Sequence, residues 1–218
     1  MRDVIIIGAG GHSAEIDEYI RHSQKITGIN ELTVVGFLDD DSLNYSNYRF
    51  SAPLLGPIKD HKIIKGQHYV IGIANLNYRR LFVDKFKADG AEFIGFIHCS
   101  AYISESSIIG EGTIIGPNAN IGPNVKIGCF NLINSRCSLG HDTIIGNYNF
   151  ISPNVCFSGF SRIGDENLFG INSTTIPGIC VGNQNKIAAG MVLDTNVGDN
   201  NVIFYRFKER VIAVPKNK

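Results

Sequence analysis

The chain has no surplus of either charge, no long hydrophobic run and no paired cysteines, and each lack removes a class of function. Lys and Arg total 20 against 20 for Asp and Glu, so there is no basic excess to hold a nucleic-acid backbone or an anionic membrane surface. No apolar run approaches the roughly 18 to 20 residues that span a bilayer. Met1-Arg2-Asp3 leads into only four apolar residues before Gly8, too short for a secretory leader, and a cytoplasmic location is the expectation. The five cysteines, Cys99, Cys129, Cys137, Cys156 and Cys180, contain no C-x-x-C pair. An odd number without a leader argues against a disulfide framework, and they are expected to be small buried thiols. What is present is 44% hydrophobic residues in 218, enough for a sizeable core in one large or two small domains.

Glycine is abundant: 24 of 218 residues, above the usual share of about 7%. Stepping by six from Ile103 gives Ile109, Ile115, Ile121, Ile127, Ile133, Leu139, Ile145, Ile151, Phe157, Ile163, Phe169, Thr175, Val181, Ile187 and Leu193, which is 15 apolar residues in 16 positions. The next residue is glycine in nine of these hexads, and the position four after the aliphatic is mostly small, as in Ser107, Ala119, Val125, Cys137 and Val155. Neither a helix nor a simple alternating strand sustains a six-residue beat. One buried Ile contributes roughly 1.5–3 kcal/mol, whereas fixing six backbones costs on the order of 6–12 kcal/mol. No hexad is stable alone, and the units must stack. Only nine charged side chains lie between residues 103 and 193, and flat, weakly charged sides invite self-association.

Residues 1–97 read differently, as alternating strands and helices. Val4–Ile7 runs into Gly8-Ala9-Gly10-Gly11-His12 and a helix from Ser13, its expected N-cap, to about Arg21. Val34–Leu38 ends in Asp39-Asp40-Asp41, and Tyr69–Ile73 ends in Ala74-Asn75; a helix from about Tyr78 to Lys87 and a short strand, Phe93–Phe96, follow. This is the pattern of a small parallel, Rossmann-like α/β domain. The segment from Asp41 to Pro57 reads as a surface loop. Glycines between a first strand and a first helix let backbone N–H groups approach a phosphate, and acids ending the second strand are placed for a ribose or base edge. The third glycine of the nicotinamide fingerprint is missing, and a tight turn without a ligand is the plainer alternative.

The combination resembles the sialic-acid O-acetyltransferase-like and nucleotide-amino-sugar N-acetyltransferase family of hexapeptide-repeat acetyltransferases. It is carried by Gly8–His12 with its helix, Leu38-Asp39-Asp40, the Ile97-His98-x-x-Ala101 junction, the hexads, Gly140-His141-Asp142 and Gly170-Ile171-Asn172-Ser173. The resemblance implies an N-terminal α/β nucleotide-sugar-binding domain over residues 1–97. It further implies a left-handed parallel β-helix over 98–218, three hexads to a coil, with prisms packed as a homotrimer.

His141 is the only histidine inside the repeat, which disfavours the three-histidine zinc site of a β-helical metal hydrolase, and no metal is expected. An imidazole has the right chemistry for a general base near neutrality, and Asp142 is placed to orient it. Gly159, one coil of 18 residues further on, leaves room above the imidazole; by that stacking and by the resemblance its N–H is the expected oxyanion donor. The resemblance also implies acetyl-CoA in the groove between adjacent prisms, passing Ile171 and Ala189. Phe150 stands where some relatives have a cofactor-contacting histidine. Gly10, Gly11, His12, Asp39, Asp40, Ala74 and Asn134 are the candidates for the nucleotide sugar. Ala74 and Ala189 replace glycines of close relatives, and Val202–Lys218 departs from the family's usual ending.

The function implied is transfer of acetyl from acetyl-CoA to the amine of a nucleotide-linked 4-amino sugar, with UDP as the expected carrier, in surface-glycan or glycoprotein synthesis. An O-acetyltransferase acting on sialic acid and a non-catalytic nucleotide-binding scaffold are the alternatives.

Overall fold

The computed structural model describes residues 2–205; the divergent end from 206 onward lies outside the described residues. The N-terminal domain comprises β1 (Arg2–Ile7), α1 (Gly11–Thr27), β2 (Leu32–Leu38), α2 (Ser42–Ser46), β3 (Leu54–Gly56), β4 (His68–Ile71), α3 (Leu76–Ala88) and β5 (Glu92–Phe93). They form one parallel sheet in the order β3-β2-β1-β4-β5. Val4, Ile5, Ile6 and Ile7 are all buried, as a strand covered on both faces requires.

Three local expectations are corrected. The segment after Asp41 is not all loop: Asp41 caps α2 by accepting from the Leu43 N–H at 2.9 Å, and β3 pairs at the sheet edge through a register shift. Ser13 is not the N-cap of α1; Gly10 occupies that position, and the buried Ser13 hydroxyl instead donates to the Gly72 carbonyl at 3.2 Å. The stretch expected as a fourth strand is divided, since β5 ends the α/β sheet while Phe96–Ile97 already pairs with Ile114–Ile115 of the second domain.

The second domain is the left-handed parallel β-helix that the resemblance implies. Its two-residue strands form three parallel sheets, and strands pair at a spacing of 18 residues, as Ile121 with Leu139 and Leu139 with Phe157, until the last coil, where Ile187 pairs with Ile203 at a spacing of 16. Side B carries 96–97, 114–115, 132–133 and so on; side C carries 102–103, 120–121, 138–139 onward; side D carries 108–109, 126–127, 144–145 onward. The aliphatic row and the fourth-residue row together make the interior, from Ile115 and Ala119 to Met191 and Leu193.

Each corner is a tight turn, and its conformational work is divided between two positions. Positive φ falls three residues after the aliphatic, at Asn118, Asn124, Asp142, Asn154 and Asn172, among others. Asn and Asp tolerate that region best after glycine. The glycines directly after the aliphatic serve close approach instead: a Cβ on Gly140 would stand 2.6 Å from the Gly159 backbone nitrogen, and one on Gly164 would stand 2.7 Å from the Gly182 carbonyl oxygen. Between aliphatic and positive-φ residue lies the position favoured by proline in such turns, held by Pro117, Pro123, Pro153 and Pro177, and also by His141 and Gly159.

The α/β domain lies on side B. The outward residues Phe96, Ile114, Leu132 and Phe150 pack with Val4, Ile16, Phe37 and Val70. α3 runs at the corner between sides D and B, where the fully buried Arg79 donates from Nε to the Phe130 carbonyl at 3.0 Å and from Nη1 to the carbonyls of Ile71 and Ile73. Burial without a carboxylate partner pulls this guanidinium down to about 9. Among the described residues no helix is long and apolar enough to cross a membrane.

Candidate active site

His141 and Asp142 occupy consecutive turn positions at the corner between sides C and D. The positive φ of Asp142, 58°, turns its side chain back along the corner, and its Oδ2 lies 2.8 Å from His141 Nδ1. Oδ1 accepts from the Asn124 amide at 3.2 Å. These two hydrogen bonds, that of His141 first, hold the Asp142 carboxyl below the usual carboxylate range. A carboxylate at Nδ1 accepts a proton held there, an arrangement in which Nε2 carries the lone pair when the ring is neutral.

Nε2 faces the next coil. A Cβ added at Gly159 would stand 2.8 Å from Nε2 and 2.9 Å from Cε1, so only glycine leaves this imidazole its place. Phe160 borders the ring edge-on at a centroid distance of 5.0 Å. The Gly159 position is one where proline recurs in other coils, because its N–H takes no part in the ladder; among the described residues the Gly159 N–H donates to no protein acceptor. An imidazole nitrogen and an unpartnered N–H donor thus stand side by side at an exposed edge.

One contribution escaped sequence reasoning. Thr175, the single polar member of the aliphatic row, is buried; its hydroxyl accepts from the Ser158 N–H at 3.1 Å and pairs with Ser161 Oγ at 2.9 Å, while Ser158 Oγ donates to the Thr175 carbonyl at 2.7 Å. Side-chain bonds thereby anchor the residue immediately before Gly159. The break in the aliphatic row was the visible signal.

The remaining candidates lie elsewhere on the chain. Ile171 and Ala189 stack at the corner between sides B and C, a different edge of the prism from His141. Asn134 is at that corner too, is buried, and donates its amide to the Ile151 carbonyl at 3.1 Å. Asn134 and His141 thus lie at different corners of one prism, because seven residues in a six-residue beat lead from one corner to the next. Phe150 packs against the α/β core on side B and does not line the His141 edge.

In the α/β domain, Gly11 and His12 border a hollow of about 510 Å³ with Glu15, Tyr19, Tyr48 and Arg49. His12 Nδ1 lies 3.3 Å from Glu15 Oε2, whereas its Nε2 is buried without a partner. Burial pulls this imidazole below its ordinary value, so it is neutral at pH 7. Asp39 stitches the strand ends together: Oδ2 accepts from the Ala9 N–H at 2.7 Å, and Oδ1 accepts from the Asp41 N–H and the Asn44 amide. Asp40 accepts from the Lys59 N–H at 3.1 Å. Ala74 lines a separate cleft of about 380 Å³, between the start of α3 and the prism residues Glu166, Gln184 and Lys186. The thiols differ from expectation: only Cys137 is buried, its pKa pushed up to about 12 by desolvation, while Cys99, Cys156 and Cys180 are exposed because outward strand positions and the domain junction carry them.

Comparison with known proteins agrees with this architecture. Residues 3–86 match the family model described as the PglD N-terminal domain. The acetyltransferase domain of PglB from Neisseria gonorrhoeae FA1090 is similar over 90% of this chain and 93% of its own, with 24% identity and a TM-score of 0.77. PerB from Caulobacter crescentus, solved in complex with CoA and GDP-perosamine, is similar over 93% of both chains, with 23% identity and a TM-score of 0.78. WeeI from Acinetobacter baumannii AYE is similar over 93% of this chain and 96% of its own, with 22% identity and a TM-score of 0.78. No curated protein matches the chain significantly. At these identities the likeness establishes a shared two-domain fold.

Proposed function

We propose that this chain is an acetyl-CoA-dependent N-acetyltransferase acting on a nucleotide-linked 4-amino sugar, with His141 as general base. The observation that carries the reading is the His141–Asp142 pair set against Gly159 and its unpartnered N–H. His141 Nε2 takes a proton from the sugar amine as its nitrogen attacks the thioester carbonyl. The tetrahedral oxyanion accepts from the Gly159 N–H. The C–S bond then breaks, and the imidazolium returns its proton to the departing CoA thiolate, leaving the amide. Every step is proton transfer and addition–elimination, so no acyl-enzyme is needed.

The bound CoA and GDP-perosamine of PerB and the name of the PglB domain support the donor and acceptor classes. A second copy is part of the reading. The His141 edge is the one prism corner that does not border side B, where the α/β domain sits. The nucleotide loop at Gly10, Gly11 and His12 therefore serves the His141 of a neighbouring prism, and the CoA tail crosses from that edge to Ile171 and Ala189 of another copy. A homotrimer closes such a ring of contacts.

The test is CoA-thiol release from acetyl-CoA with UDP-, GDP- and dTDP-linked 4-amino sugars and with free sialic acid. Turnover with one nucleotide-linked amino sugar is expected, UDP first and GDP next. Turnover with sialic acid alone replaces the reading by O-acetylation, and no turnover by folded protein overturns it in favour of a scaffold.

A further inference from the structure

We propose that His22, His98 and Cys99 form a zinc site that clips α1 to the first coil of the prism. His22 belongs to α1, whereas His98 and Cys99 follow directly on the first prism strand, so the ligands come from both domains. One ring nitrogen of His22, one of His98 and Cys99 Sγ all lie within 4.8 Å of one another, and His22 Nδ1 is 3.2 Å from His98 Nε2. Zinc bonds of about 2.0–2.1 Å to nitrogen and about 2.3 Å to sulfur, at tetrahedral angles, place two ligand nitrogens about 3.3 Å apart and a nitrogen and a sulfur about 3.6 Å apart. The imidazoles already stand at that spacing, and the thiol lies within 4.8 Å of a nitrogen of each. Two imidazoles and a thiolate are a donor set that zinc favours over harder divalent ions.

The surroundings support the ligands. His98 is buried, and its Nδ1 lies 2.8 Å from Ser100 Oγ, an acceptor for an Nδ1 proton that frees Nε2 for the metal. Ser23 Oγ, next to His22, accepts the Cys99 N–H at 3.2 Å and fixes the backbone that carries the thiol. Without metal, the Ser100 N–H donates to His98 Nδ1 at 3.1 Å, and the 3.2 Å contact is a hydrogen bond from His98 Nε2–H to His22. On loading, the Zn–S bond forms as the thiol proton leaves to solvent, and His98 carries its proton on Nδ1. Water takes the fourth position. The site lies on the first coil, where side B turns into side C, a different edge of the prism from His141.

The experiment is titration of the tag-free, chelator-stripped full chain with Co²⁺, followed by displacement with Zn²⁺. One equivalent of Co²⁺ is expected to give a thiolate-to-metal charge-transfer band in the near ultraviolet that Zn²⁺ abolishes. The band is expected to be absent in Cys99→Ser and retained in His141→Ala, and His22→Ala is expected to weaken Zn²⁺ binding by more than about tenfold. His22 and Cys99 are exposed, so both variants keep the fold, which circular dichroism checks. No charge-transfer band in the unaltered chain, or Zn²⁺ uptake unaffected by Cys99→Ser, overturns the proposal and leaves the direct histidine–histidine hydrogen bond.

Discussion

At the residue scale the account rests on which atoms neighbour the His141 ring. Asp142 fixes the proton on Nδ1, and the missing side chain at Gly159 leaves Nε2 accessible. Gly159→Ala places a Cβ 2.8 Å from Nε2, and the ring must move away from the Gly159 N–H. Displacement of a catalytic group by about 1 Å costs on the order of 10²-fold in rate. The variant is expected to lose about that much kcat with its melting temperature little changed, because both groups are at an exposed edge. Steady-state kinetics beside a thermal melt checks this, and an undiminished kcat contradicts the role given to Gly159.

At the scale of elements, the corner between sides D and B is held by a buried asparagine ladder. Asn167 Oδ1 accepts the backbone N–H of Asn185 at 2.9 Å and its side-chain amide at 3.0 Å, while its own amide donates to Asn149 Oδ1 and the Gly182 carbonyl. Asn167→Leu leaves the two Asn185 donors unmet in a buried place, at about 1–3 kcal/mol for each. A loss of at least about 2 kcal/mol is expected in urea unfolding, and a loss below about 0.5 kcal/mol contradicts the ladder's role. The prism was legible because its six-residue beat is local and unbroken, so that interior rows, corners and the partner of His141 at Gly159 all follow from counting. Asn131, Asn149, Asn167 and Asn185 have the same 18-residue spacing, but nothing in a polar corner residue announces that it is buried until the coils are stacked. β3 was illegible for another reason: three residues in a segment rich in Ser, Asn and Pro become a strand only because the edge of β2 accepts them.

At the scale of the whole molecule, the sequence placed Gly10–His12 and His141 in separate domains but not on separate faces. That arrangement follows from Phe96, Ile114, Leu132 and Phe150, whose outward aliphatic and aromatic side chains seat the α/β domain on side B. Half-buried histidines make this assembly acid-sensitive. Burial lowers both His12 and His61 from 6.5. Below that value the unfolded chain binds protons that the folded chain does not, so stability is full above about pH 6.5 and declines as pH falls through the folded values. The melting temperature is expected to fall between about pH 7 and pH 5, and to fall less in His61→Gln; an unchanged value across that range contradicts burial of neutral imidazoles.

The central claim is that His141 removes the proton from the acetyl acceptor, and the most direct measurement is single-turnover acetyl transfer by the unaltered chain and by His141→Ala, with acetyl-CoA and the preferred amino sugar both saturating. A general base contributes typically 10²–10⁴-fold. The account predicts a loss in that range in His141→Ala with acetyl-CoA still bound. Transfer by His141→Ala at the unaltered rate would contradict it.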